Sequence, residues 1–140
     1  MLIETDLLFA YLKAADWLKQ VASEIIEQIE RGQLAPVQAS AAVLHELFYV
    51  QIEYLSLDAT IGNSAQIMAL SNLEFLPATA ETYVSAMALM KTYAISSIFD
   101  AIHAGTALGA LAKDNKIIST DPVFDRIPDL ERIDPRDIIS

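Results

Sequence analysis

At 140 residues, with 54% hydrophobic residues and only four glycines, the chain fits one folded domain spanning 1–140 that buries a core unaided. It has no cysteine, which removes disulfides, thiolate zinc sites and cysteine nucleophiles together. Nineteen acids against nine Lys and Arg set the net charge at −10, which argues against a surface that grips nucleic acid by counterion release alone.

In chain order, "MLIET" is a short apolar run bounded by acids and predicts a buried first strand. It lacks a basic leader and meets a charge at Glu4, so it does not read as a signal peptide. No apolar run approaches the ~18 residues needed to span a bilayer, and a soluble, cytoplasmic protein is the expectation. "DLLFAYLKAADWLKQVASEIIEQIERG" carries apolar residues at three- and four-residue intervals, predicting one or two helices stopped by Gly32. "LAPVQAS" predicts a second strand, after which Ser40 caps the apolar helix "AAVLHELFYVQIEYL". Asp58 is expected to open a further helix, and "FLPAT" to form a third strand. A helix from about Ala80 to Tyr93 follows. Ser96 or Ser97 then caps "IFDAIHAGTALGALAKD", "KIIST" is the fourth strand, and "LERIDP" the last, ending at Pro135. Strands alternating with helices imply βαβ units, hence a three-layer α/β/α sandwich around a parallel sheet.

Acidic residues recur at the boundaries of these elements. Glu4 and Asp6 follow the first strand, and alternation along an extended chain places both on one side. Glu46 lies among apolar neighbours in its helix, Asp100 opens another, and Asp121 and Asp125 follow the fourth strand. Carboxylates that converge repel one another unless a cation joins them. Oxygen ligands with open positions suit Mg²⁺ or Mn²⁺, which activate water and stabilise a leaving oxygen. Each acid also fits a local role: Asp6 as an N-cap, Ser97 to Asp100 as a capping pair, Asp125 as a turn residue, Glu46 as a solvent-facing position. His45 and His103 have no second histidine at metal-ligand spacing and are assigned packing or surface roles. Trp17 and the tyrosines are assigned to core or interface. Five of the nine cations, Lys113, Lys116, Arg126, Arg132 and Arg136, fall in the last 28 residues.

"ETDLLFAYL", the helix holding "LHEL", "IFDAIHAGTAL" and "IISTDPVFDRI" resemble the four acidic motifs of PIN-domain nucleases, and within them the VapC-like toxin ribonucleases of toxin–antitoxin pairs. The resemblance covers essentially the whole chain. It implies RNA phosphodiester cleavage with Mg²⁺ or Mn²⁺, restraint by an antitoxin, and a homodimer. Carried over by position, it implies metal ligands at Glu46, Asp100, Asp121 and Asp125, with Ser119 or Thr120 as the hydroxyl beside them. The first motif departs from the family pattern, reading Glu4, Thr5, Asp6 where an aspartate usually leads. Either Glu4 or Asp6 then takes the ligand role. A PIN-fold binding module with weakened metal affinity is the alternative function.

Overall fold

The shortest strand sits in the middle of the sheet. Leu2–Ile3 (β1) lies between Val37–Ser40 (β2) and Lys116–Ile118 (β4), with Leu73–Leu76 (β3) and Glu131–Ile133 (β5) at the edges. In this computed structural model, which describes residues 1–139, every neighbouring pair is parallel, in the order β3-β2-β1-β4-β5. The chain works outward from β1 to β3, then crosses back to resume at β4. The β1/β4 boundary is therefore where strand order reverses, and open α/β sheets bind ligands outside the carboxyl ends of strands at such a point.

Seven helices cover the sheet among the described residues. Thr5–Leu12 (α1), Lys19–Glu30 (α2), Ala42–Gln51 (α3) and Leu57–Met68 (α4) supply most of one core, where Leu7, Ile25, Leu47 and Ile67 meet Ile3, Val37 and Ile118 of the strands. Ala80–Tyr93 (α5) and Ile98–Ala107 (α6) build the other, where Ala86, Ile102 and Ala104 meet Leu2, Leu76 and Ile117. Successive strand residues thus face opposite cores, and both faces are apolar as a parallel sheet requires. Each fully buried Leu or Ile contributes about 1.5–3 kcal/mol. Packing from both sides, more than its few ladder bonds, holds a two-residue central strand. The short helix Pro135–Ile139 (α7) closes the chain against the first core.

The parallel sandwich and all five strands agree with the sequence reading, and several boundaries do not. Gly32 takes φ +67° beyond α2, a left-handed turn that glycine adopts without strain. The Ser40 hydroxyl accepts from the Ala42 N–H at 3.1 Å, but Ala41 is the cap position, and α3 stops at Gln51 instead of reaching Leu55. Ser56, not Asp58, caps α4, taking the Ala59 N–H at 3.1 Å. The third strand starts at Leu73 and stops before Pro77, which has no N–H for a ladder. Pro135 begins α7 instead of ending the last strand, because proline suits a first helical turn. Trp17, expected in the core or an interface, is 72% exposed.

Candidate active site

Glu4 is a helix-cap residue rather than a strand residue. β1 ends at Ile3 and α1 begins at Thr5, so the expected strand alternation of Glu4 and Asp6 does not apply. Glu4 is nonetheless buried at the carboxyl end of β1, where its carboxylate accepts the Ser119 Oγ hydrogen at 2.5 Å. The Asp121 N–H donates to the same Ser119 oxygen at 2.9 Å. One serine thereby ties the ends of the two strands at the reversal point. Asp6, in the first turn of α1, is the one of these acids on the exposed side, with its carboxylate still partly shielded by the neighbouring elements.

The other acids arrive on helices and a turn. Glu46 sits mid-way along α3, half-buried. In α6 the Ser97 hydroxyl takes the Asp100 N–H at 3.2 Å, so Ser97 is the cap and the Asp100 carboxylate is not. Asp121 caps the 3₁₀ turn Pro122–Arg126, with Oδ1 accepting the Val123 N–H at 2.8 Å.

These charges act on one another. Burial raises the Glu4 carboxyl well above its ordinary range, and Asp6, Asp100 and Glu46 push it further, against the Ser119 hydrogen bond. Burial, then Glu46 and Asp121, raise Asp6. Burial, then repulsion from Glu46 and Asp121, push Asp100 up to about 6. Glu46 goes the other way. Its burial is outweighed by hydrogen bonds from His103 and Thr5 and by the attraction of His103, which bring it below the usual value. No lysine or arginine is among the principal influences on the four.

His103 is the residue that sequence reasoning missed. It is fully buried, with Nε2 3.0 Å from Glu46 Oε1 and 3.1 Å from Thr5 Oγ1. The available signal was spacing: three residues after Asp100 on one helix, it shares the face that carries the aspartate. His45 is exposed, stacked on Tyr49 with ring centroids 5.1 Å apart, as a surface role requires.

Two expected participants stand apart. Asp125 is gripped by Arg132, whose Nε and Nη2 donate to its two oxygens at 2.9 and 3.0 Å. Of the neighbouring hydroxyls, Ser119 meets the acids, whereas Thr120 is half-buried beside it. Three of the five C-terminal cations are paired with acids, while Lys113 and Arg126 are exposed. Arg132 and Arg136 pair with Asp125 and Asp134, Lys116 lies 3.7 Å from Glu131, and Arg126 donates to the Ala94 carbonyl.

Among the described residues, no three His, Asp or Glu side chains close on one point as a ready-made metal cage. The donor set still fits a hard cation. It is all oxygen, it repels itself, and Mg²⁺ commonly takes one or two protein carboxylates and keeps its waters.

The PIN domain model matches residues 1–130. The chain belongs to the PIN domain family. Among solved structures, this PIN domain is similar to VapC20 of Mycobacterium tuberculosis, a toxin that cleaves the sarcin–ricin loop, with TM-score 0.72 and 16% identity over 93% of this chain and 96% of that one. VapBC2 of Rickettsia felis, bound to a DNA fragment from its promoter, aligns with TM-score 0.68 and 16% identity over 94% and 96% of the two chains. A toxin–antitoxin complex from Klebsiella pneumoniae gives 0.64 and 19% over 96% of each. At these identities the likeness concerns the fold. No curated protein sequence matches the chain. Among the described residues, no helix is long and apolar enough to cross a membrane.

Proposed function

We propose that this PIN domain is a divalent-metal-dependent endoribonuclease, a toxin restrained by an antitoxin protein. The observation that carries the reading is five carboxylates gathered at the strand-reversal point, four of which, Glu4, Asp6, Glu46 and Asp100, have no lysine or arginine among their principal influences. Such an arrangement calls for a cation from outside. Glu4, Asp6, Glu46, Asp100 and Asp121 are the residues that would hold Mg²⁺ or Mn²⁺, and Asp125 is assigned to its arginine. When bound there, the cation supplies charge opposite the scissile phosphate and lowers the pKa of a water nucleophile. Ser119 keeps Glu4 turned inward, and Asp121 is oriented by its turn.

A protein of net charge −10 gains little from its own field on approaching RNA. Metal-held phosphate and non-ionic contacts must supply affinity. Restraint by an antitoxin is supported by the VapBC and toxin–antitoxin assemblies that share the fold. A homodimer is supported by exposed apolar side chains on α3 to α5, including Tyr49, Ile52, Leu57, Ile61 and Val84. Light scattering that reports a monomer up to millimolar concentration would remove the dimer from the reading.

The deciding experiment incubates partner-free protein with RNA and Mg²⁺ or Mn²⁺, beside Asp100→Asn. Cleavage by the wild type and not by the variant supports the nuclease. A wild type that cleaves no RNA, and binds neither metal through its carboxylates, is a PIN-fold binding module instead.

A further inference from the structure

We infer that His103 is a positioning residue that locks the Glu46 carboxylate toward the acid pocket, so that a histidine touching neither metal nor substrate governs the metal affinity of the site. The inference rests on the metal-dependent reading of that pocket.

The geometry leaves His103 one polar task. Its ring is 0% exposed, and Nδ1 has no hydrogen-bond partner. All its polar contact passes through Nε2, to Glu46 Oε1 at 3.0 Å and Thr5 Oγ1 at 3.1 Å. An ionised carboxylate only accepts, so the proton of the bond lies on Nε2, and Nδ1 is left without a partner. Through that one nitrogen His103, in the middle of α6, joins Thr5 at the start of α1 to the Glu46 carboxylate on α3.

A histidine kept only to fill space is a poor choice here. A leucine fills a similar volume and leaves no buried nitrogen without a partner. What leucine cannot do is donate to Glu46. Without that donor the Glu46 side chain, 21% exposed, is free to swing toward water. With it, the carboxylate is already aimed when a cation arrives, much as outer-shell partners orient metal ligands elsewhere.

Isothermal titration of Mn²⁺ into the full chain without RNA tests this, alongside circular dichroism to confirm folding. His103→Leu is expected to weaken Mn²⁺ binding by roughly 10–100-fold, the usual effect of losing an outer-shell partner. His103→Gln, whose amide nitrogen reaches the Nε2 position, should recover most of the affinity. His103→Asn, whose amide stops near Nδ1, should not. The same ranking should appear in the metal concentration needed for cleavage, with KM for RNA little changed. Equal Mn²⁺ affinity in the wild type and folded His103→Leu overturns the inference. If the leucine variant does not fold, equal affinity of the Gln and Asn variants overturns it. Asp100→Asn separates the two levels. If it loses Mn²⁺ while His103→Leu does not, only the positioning role falls. If it too binds like wild type, the metal-site reading falls and this inference with it.

Discussion

Two groups of aspartates lie side by side at the same end of the sheet, and their electrostatics are opposite. Beyond β5, Asp134 is held at about 2 by hydrogen bonds from the Arg136 side chain and backbone, and Asp125 is forked by Arg132. Beyond β4 and on α6, Asp121 and Asp100 face other carboxylates, and Asp100 stands at about 6. Ser119 separates the two groups. Its carbonyl accepts from Arg132 at 3.1 Å while its hydroxyl serves Glu4. Where the chain supplies its own cation, acids become surface braces. Where it withholds one, they crowd and raise one another's pKa.

The largest expected effect comes from the unbraced side. Asp100→Asn should reduce metal-dependent RNA cleavage by ~100-fold or more, the scale of lost transition-state electrostatics, while thermal melting of the metal-free protein stays level or rises. Asparagine keeps the amide that Ser97 caps and removes a repelling charge. Full retained activity in a gel-based cleavage assay would place the metal site elsewhere.

Next, Glu4→Gln should lose more activity than Asp6→Asn. Glu4 is buried and fixed by Ser119, whereas Asp6 lies on the exposed side. The reverse order in the same assay would make Asp6 the ligand of the first motif.

A third test separates the groups by pH. The folded-state pKa of Asp100 lies above its ordinary 3.8, at about 6, so the folded protein binds the extra proton. Its contribution to stability is full below the ordinary value and is lost as pH rises through about 6. Glu4 and Asp6 shift in the same direction. Metal-free protein should therefore melt higher at about pH 5 than at about pH 7, and added Mg²⁺ should raise the melting temperature more at the higher pH. Asp134 has the opposite sign. Its contribution is present at neutral pH and fades only as pH falls from 3.8 through about 2. Calorimetric scans in which Asp100→Asn keeps the full wild-type slope between about pH 5 and 7 would refute this assignment.

The smallest effect belongs to the braces. Arg132→Gln should change urea-unfolding stability by only about 1 kcal/mol, since its partner Asp125 is exposed and screened although Arg132 itself is half-buried. It should leave the Mn²⁺ requirement for cleavage where it was. A metal dependence altered as strongly as in Asp100→Asn would dissolve the distinction between the groups.

The sequence pattern carried the fold because its signals are local. Apolar runs such as "KIIST" sit between capped helices, and the Ser97 to Asp100 spacing marks a helix start without reference to the rest of the chain. Of the candidate site, Glu4, Asp100 and Asp121 were legible at such boundaries, and mid-helix Glu46 through the resemblance of its motif. His103 was not legible, since its role comes from Glu46, 57 residues away, and Thr5, 98 residues away. Asp125 looked like Asp121's companion, four residues on, yet β5 returns Arg132 beside it. Whether an acid joins a site or a brace depends on which charge the topology brings back, and spacing does not encode that.

The central place of β1 also sets when the pocket exists during synthesis. Leu2 and Ile3 pair with Ile117 and Ile118, and Glu4 finds its hydroxyl 115 residues further along the chain. Contacts of such range form late, after the loop between them has been closed. A nascent chain halted before Lys116 has no β4, no Ser119 to turn Glu4 inward and no Asp121. Until the fourth strand docks, Glu4 has no serine to turn it inward, so the pocket takes shape in one late step.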